Sequence, residues 1–329
     1  MSLVSREARP GSLSAVVLAA GEGKRMRTGR AKVLHEVGGR ALIDHVLVAL
    51  ERLAPSPLVV VVGHLRAQVE AHLGGRGVVL AVQDPPRGTG DAVARALPLL
   101  PEAGETLVVS GDVPLIAPAT LEALVELRRC RKAAAALVTA VLPEPGGYGR
   151  IVRNGTGDVG SIVEARDASD DSRSACEVNG GTYVFDVGAL RRAIGQVRPD
   201  NHQGEYYLTD VVGFLVAGGL QVAALQLADP AEMAGVNSRS DLGEVHRLLN
   251  QRIVRRLQEA GVTVLDPGTT WVDADCTVGR DSELEAGVHL RRGCVVGERC
   301  RIGAYSVLDG VTVADGTAVP PLSFRAGGG

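Results

Sequence analysis

From Val272 to Leu308 an apolar side chain recurs every six residues: Val272, Val278, Leu284, Leu290, Val296, Ile302 and Leu308. A strand alternates with period two and a helix repeats near 3.6, so neither explains seven in-phase positions. Two residues before each stands a smaller side chain, in order Thr270, Cys276, Ser282, Val288, Cys294, Cys300 and Ser306, and Gly279, Gly297 and Gly303 follow three of the apolar positions. A six-residue period marks a parallel β-helix in which each hexapeptide makes one face of a triangular coil. Three faces make a coil, so Cys276 and Cys294 should stack in successive coils as small buried side chains, not as a disulfide or metal pair. After Leu308 the phase slips, and Val313 and Val319 continue it one residue early. The spacing predicts two coils and part of a third within a short left-handed parallel β-helix over 262–329. Its last coil should leave strand edges unpaired.

The rest of the chain has a different rhythm. At roughly 150 residues per domain, 329 residues suggest two domains. Continuous apolar runs at 13–20, 58–62, 78–82 and 106–109 read as buried strands, with helical patterns over 41–53, 65–73 and 90–99 between them. Unbroken apolar strands alternating with helices predict an α/β, Rossmann-like fold with a mostly parallel sheet covered on both faces. Ligands bind such sheets beyond the carboxyl ends of the strands, so the loops at 21–32, 83–91 and 110–114 should meet at one cleft. The first domain is placed at 13–239. Apolar positions from Leu242 to Ala260 read as an amphipathic helix closed by Gly261, a linker helix over 240–261 that carries the domain boundary. Residues 1–12 read as a disordered tail.

A net charge of −3 gives no bulk electrostatic reason to bind nucleic acid or an anionic membrane. No stretch approaches the ~20 apolar residues of a membrane span, and the start lacks an apolar signal core. Five cysteines without zinc-type spacing fit a reduced, cytoplasmic protein. Forty-two glycines with 3% aromatics favour many tight loops.

The loop Gly21-Glu22-Gly23-Lys24-Arg25-Met26 follows the first strand. A dinucleotide fingerprint would need glycine where Met26 stands, and a Walker A loop would need Gly-Lys-Ser/Thr. With Arg27, Arg30 and Lys32 close by, the loop concentrates cations at a strand end, which reads as a polyphosphate site.

LAAGEGKRM…KVLH (18–26, 32–35) resembles the start of sugar-1-phosphate nucleotidyltransferases, specifically bacterial N-acetylglucosamine-1-phosphate uridyltransferases. QDPPRGTGDA (83–92), SGDVPLI (110–116), GYGRI (147–151), IVE (162–164), VNGGTYVF (178–185), QGEYYLTD (203–210) and GVNSR (235–239) continue the resemblance in family order. It implies Mg²⁺-dependent joining of UTP and N-acetylglucosamine 1-phosphate into UDP-N-acetylglucosamine and pyrophosphate, for cell-envelope polysaccharide synthesis.

The same resemblance implies residue roles. Arg25 and Lys32 are the catalytic cations; Arg25 offers a planar fork for phosphate oxygens and Lys32 a point charge. Asp112 and Asn237 hold Mg²⁺, a hard cation that takes one or two carboxylates beside phosphate oxygens and water; capping of the following helix is the rival reading of Asn237. Gln83 pairs with the uracil edge through an amide that donates and accepts. Leu18, Ala19, Ala20, Gly21, Gly88, Thr89 and Gly111 complete the nucleotide site. Gly149, Glu164 and Asn179 hold the sugar.

Lys24, Ala31, Arg166 and Gly180 depart from common family residues, and Gly180 bears on sugar positioning. Full-length members carry a longer β-helix with acetyltransferase activity, so the short repeat predicts no acetyl transfer. Family β-helices form trimers, which makes a homotrimer an expectation to test. The alternatives are another sugar-1-phosphate nucleotidyltransferase, with a thymidylyl, adenylyl or guanylyl donor, and a non-catalytic regulatory relative.

Overall fold

The computed structural model describes residues 12–168 and 175–327. Apart from Ser12, the tail expected over 1–12 lies outside them. The chain divides into two compact units. One runs to Leu34 and from Ile43 to Asn237; the other holds His35–Leu42 and everything from Ser238.

In chain order come strand β1 (Leu13–Ala19), a small hairpin of β2 (Glu36–Val37) and β3 (Arg40–Ala41), helix α1 (Leu42–Glu51), β4 (Leu58–Val62), α2 (Arg66–Leu73), β5 (Val79–Val82) and α3 (Thr89–Ala96). Then follow β6 (Glu105–Ser110), α4 (Pro118–Arg131), β7 (Ala135–Val141), β8 (Arg150–Arg153), β9 (Val159–Val163), β10 (Glu177–Asp186), α5 (Val187–Ile194), α6 (Thr209–Ala217) and β11 (Val222–Gln226). Among the described residues, nine strands of the first unit form one sheet with the path β11-β7-β10-β6-β1-β4-β5. β1 runs parallel to β4 and β6, and β4 parallel to β5. β10 is antiparallel to both β6 and β7, and the β8–β9 hairpin joins it through Val178 and Arg150.

Three of the four continuous apolar runs form the centre of this sheet; the fourth, 78–82, expected to be buried, is instead the edge strand β5, paired on one side only, with Val79 and Val82 exposed. Val16, Val17, Val59 to Val62 and Leu107 to Val109 are fully buried, as strands covered on both faces must be. The chain leaves β1 on one side toward β4 and β5 and returns on the other side through β6. That reversal opens a crevice at the ends of β1 and β6, where a doubly wound sheet takes its ligand.

The second unit contains the coil, and it is longer than the period from Val272 to Leu308 predicted. Strands stack in three parallel columns: Thr263–Val264, Glu283–Leu284, Arg301–Ile302 and Ala318–Val319; Trp271–Val272, His289–Arg291, Val307–Asp309 and Phe324–Ala326; and Thr277–Val278, Val295–Val296 and Thr312–Val313. The first rung escaped the period because the turn at Asp266, which accepts from the amides of Thr269 and Thr270, inserts two residues between Val264 and Val272. Leu284 pairs with Ile302 eighteen residues on, but Ile302 pairs with Val319 after seventeen. The slipped phase is thus absorbed at a corner while the column stays in register.

The small residues of the repeat, Thr270, Cys276, Ser282, Val288, Cys294, Cys300 and Ser306, are all buried. Cys276, Cys294 and Cys300 are free thiols. In the last rung Arg325 takes the place above Leu308, and the segment Phe324–Ala326 is exposed. The apolar column stops there.

Helix α7 (Arg239–Glu259) belongs wholly to this second unit, whereas the sequence reading placed the boundary inside it. Ser238 caps it in a reciprocal box with Asp241. Such a box satisfies two otherwise unpaired amides. Gly261 follows at φ +90°, in the left-handed region where a helix ends on glycine. Ile253, Val254 and Leu257 share a core with Val272, Leu284, Leu290 and Ile302. Asn250 fixes the contact: its Nδ2 donates to Thr270 O at 2.8 Å and its Oδ1 accepts from Val272 N at 3.0 Å. The β2–β3 hairpin leans on the same rung through Ala274 N to Gly38 O and an Arg40–Asp275 ion pair.

Candidate active site

The loop after β1 is shaped by three constraints. Gly23 stands at φ +59°, and a Cβ there would lie 2.9 Å from Lys32 Cβ, so the loop folds back on itself only with glycine. Met26 is fully buried and anchors the next turn. Gln68 on α2 clips the far side, its Oε1 accepting from Ala31 N at 2.9 Å and its Nε2 donating to Gly29 O at 2.8 Å. Lys32 is thereby held between two fixed ends.

A cavity of about 520 Å³ lies over this loop. Leu18, Ala19, Ala20, Gly21, Arg25, Lys32, Gln83, Gly88, Thr89, Asp112 and Asn237 all line it, so residues from 18 to 237 meet in one place. Gly111 is the exception. Its amide donates to Leu18 O at 2.9 Å and a Cβ there would come within 3.1 Å of that oxygen. It lets β1 and β6 close together, and the wall is formed by its neighbours Ser110 and Asp112.

Lys32 Nζ contacts the Asp112 carboxylate and donates to Asn237 Oδ1 at 3.2 Å. Val236 N donates to Asp112 O at 3.0 Å, which ties the two oxygen-bearing segments together. Capping of the helix does not account for Asn237, because Ser238 is the cap. Among the described residues no three His, Cys, Asp or Glu side chains gather into a metal cluster. One carboxylate and one amide oxygen within reach of a single cationic atom are nonetheless the hard, sparse donor set that suits Mg²⁺ completed by phosphate oxygens and water. The Arg25 guanidinium, exposed beside them, has no hydrogen-bond or ion-pair partner among the described residues.

Gln83 requires a correction. It is 3% exposed, and its Nε2 donates to Gly88 O at 2.9 Å and to Asp91 Oδ2 at 2.8 Å. Both amide hydrogens are used inside the protein, so the side chain can offer a ligand an acceptor only, not the donor and acceptor that the sequence suggests. Gly88, at φ +101°, and Gly90 pack so closely on Tyr206 that a Cβ at either would lie within 3 Å of its carbonyl oxygen.

Gly149, Glu164 and Asn179 form a second group. Asn179 N donates to Gly149 O at 2.9 Å, and a Cβ on Gly149 would meet Ile162 at 3.0 Å and Glu164 at 3.7 Å. The Asn179 side chain donates to Tyr183 Oη at 2.7 Å and accepts from Gly181 N at 3.1 Å, leaving one amide hydrogen for a ligand. Gly180 fits this chain's own packing: a Cβ would lie 2.9 Å from Val138 Cγ1, at the bulge where β10 shifts register against β7. Burial raises the Glu164 carboxyl above its ordinary range; the Thr209 hydroxyl at 2.9 Å opposes this, and Asp167, Asp210 and Glu205 add to it.

Sequence reasoning passed over several residues. The sequence marks Gln68 only as part of a helix, Asp91 only within a motif, and Thr209, bonded to Glu164, only within QGEYYLTD. The segment from Glu205 to Thr209 links the two groups, since Leu208 N donates to Thr89 Oγ1 at 3.1 Å. Nothing in local spacing marks these contacts, which join residues 37, 45 and 119 apart.

A family model described as a MobA-like NTP transferase domain matches residues 15–202, and one for bacterial transferase hexapeptides, six repeats, matches 275–310. The chain is 44% identical over 318 residues to the "Bifunctional protein GlmU" of Mycobacterium tuberculosis (strain ATCC 25177 / H37Ra), covering 94% of this chain and 64% of that protein. It is likewise 44% identical over 312 residues to the protein of that name from Mycolicibacterium smegmatis, covering 92% and 65%. It therefore spans just under two thirds of these relatives' length. A solved structure of a putative glucose-1-phosphate thymidylyltransferase from Bacillus anthracis superposes with a TM-score of 0.57 at 18% identity, over 72% of this chain and 95% of that one, a likeness of fold alone. No helix among the described residues is long and apolar enough to cross a membrane. With the transferase match covering more than half of its length and the hexapeptide match lying on the coil, the chain belongs to the MobA-like NTP transferase family.

Proposed function

We propose that this protein transfers a uridylyl group from UTP to N-acetylglucosamine 1-phosphate, with Mg²⁺, giving UDP-N-acetylglucosamine and pyrophosphate. The observation that carries the reading is the meeting of Lys32, Asp112 and Asn237 at one point of a cleft that also holds Arg25 and an acceptor-only Gln83. The resemblance to GlmU proteins supplies the substrate pair.

In this reading a phosphate oxygen of the sugar phosphate attacks the α-phosphorus of UTP, and the bond to the β-phosphate oxygen breaks. The attacking oxygen is already ionised at neutral pH, so the protein needs to position two anions rather than move a proton. Arg25 and Lys32 neutralise charge spread over the phosphate oxygens as the transition state forms. Of the three Lys32 donors, two point to Asp112 and Asn237, and the third is left for a phosphate oxygen. Asp112 and Asn237 would hold Mg²⁺, which when bound adds Lewis-acid neutralisation of the phosphates. Gln83 Oε1 accepts from N3–H of the base. Glu164 and Asn179 bind sugar hydroxyl and amide groups.

Pyrophosphate release from a matrix of nucleoside triphosphates and sugar 1-phosphates, with Mg²⁺ and with chelator, tests the reading. UTP with N-acetylglucosamine 1-phosphate should be the best pair, and chelator should stop it. Thymine also carries N3–H, so an acceptor-only Gln83 suits it too. Efficient turnover of dTTP with glucose 1-phosphate, and none of the first pair, would replace the uridylyl reading with a thymidylyl one.

A further inference from the structure

The amide of a glutamine is nearly symmetric in shape, and its value in base recognition depends on which end faces the ligand. Here the surroundings decide. Nε2 of Gln83 lies against two acceptors, the Gly88 carbonyl and the Asp91 carboxylate. Turning the amide over would place Oε1 against both oxygens and lose two hydrogen bonds, one of them to a charged group.

Asp91 is itself held in place. It sits in the first turn of α3, its side chain is 13% exposed, and Arg95 one turn later approaches it at 3.4 Å. The start of α3 is strapped down by Gly90 N to Tyr206 O at 2.7 Å and by Thr89 Oγ1 accepting from Leu208 N. The carboxylate thus belongs to a fixed frame.

We propose that Asp91 is the positioning residue that sets pyrimidine specificity: by locking the Gln83 amide with Oε1 toward the base, it selects a ring that donates at N3 and rejects one that accepts there. Uracil and cytosine have the same outline and opposite hydrogen-bonding patterns at this edge. A fixed acceptor satisfies uracil N3–H and opposes cytosine N3. A free amide would turn to suit either. This inference rests on the uridylyl reading.

The experiment compares kcat/KM for UTP and CTP, with N-acetylglucosamine 1-phosphate, in the wild type, Asp91→Ala, Asp91→Asn and Arg95→Ala. Wild type should prefer UTP. Asp91→Ala should lower the UTP/CTP ratio about tenfold or more, the size expected when one charge-assisted hydrogen bond no longer fixes the amide. The change should fall mainly on KM. Asp91→Asn keeps an acceptor oxygen and should hold the ratio within about threefold, by the same hydrogen-bond arithmetic. Arg95→Ala removes the ion pair but not the contact to Gln83 and should lower the ratio far less than Asp91→Ala does. If Asp91→Ala fails to fold, Asp91→Ser, polar but shorter, should show the same loss of preference. A UTP preference that survives both Asp91→Ala and Asp91→Ser overturns the role of Asp91 alone. A wild type that does not prefer UTP overturns the uridylyl reading itself.

Discussion

The Lys32 ammonium touches the Asp112 carboxylate, although 80 residues separate them, and each side chain is only 14% exposed. The contact exists because β1 and β6 are neighbours in the sheet, so the loops that leave them open on the same crevice. Lys32 thereby balances the charge of a half-buried carboxylate and, with two of its three donors directed at Asp112 and Asn237, retains a third.

Asp112→Ala should leave a cleft that responds little to Mg²⁺ and turns over almost nothing. Asn237→Ala should be milder, shifting the Mg²⁺ concentration for half-maximal rate upward while keeping appreciable maximal activity. Titrating Mg²⁺ against pyrophosphate release separates the two. Equal, metal-independent losses in both variants would remove these oxygens from the metal site.

Arg25→Ala should lower kcat by ~10²–10³ with a much smaller effect on KM, the pattern of a group that acts on transition-state charge. Steady-state kinetics with both substrates varied reads this directly. A change in kcat below about threefold would take Arg25 out of the chemistry, since one electrostatic donor is ordinarily worth far more.

Gln68→Ala removes both clips on the loop that presents Lys32. Each neutral hydrogen bond contributes about 1 kcal/mol, so losing both should lower kcat/KM by up to about thirtyfold while the melting temperature moves only a few degrees. Unchanged kinetics would mean that Gly23 and Met26 hold the loop without help.

Glu164 makes stability depend on pH. Its folded pKa is raised above the unfolded value near 4.5, chiefly by burial. The folded state then binds the proton more tightly, and the stabilisation present below the unfolded value is lost as pH rises through the folded one. Glu164→Gln keeps an acceptor for Thr209 without the buried charge. Its melting temperature should fall less than that of wild type across the window above pH 4.5, as scanning calorimetry at several pH values would show.

Asn250→Leu should destabilise the second unit by about 2–4 kcal/mol, because it strands the Thr270 carbonyl and the Val272 amide inside an apolar contact. Hydrogen exchange of the coil amides should accelerate, beginning at the rung that holds Val272.

Elements whose cause is local are legible in the residues alone. The run Leu58–Val62 has to be a buried strand, Gly261 has to end a helix, and the six-residue recurrence from Val272 has to wind into a coil, since side-chain period follows backbone geometry. That the loops after β1, β5 and β6 meet in one cleft followed from their places at strand ends, whereas the roles of single residues there were legible only through an ordered set of motifs that resembled a family. Tertiary structure decided the rest. The extra rung at Thr263–Val264 lay hidden because a two-residue insertion breaks the period but not the parallel pairing. Helix α7 went to the coil because Asn250, Ile253, Val254 and Leu257 find their partners there, and an amphipathic pattern says that one face is covered without saying by what. The donor and acceptor sense of Gln83 was settled by Gly88 and Asp91. An amide offers both ends in the sequence, and only the oxygens packed around it in three dimensions decide which end is left for a ligand.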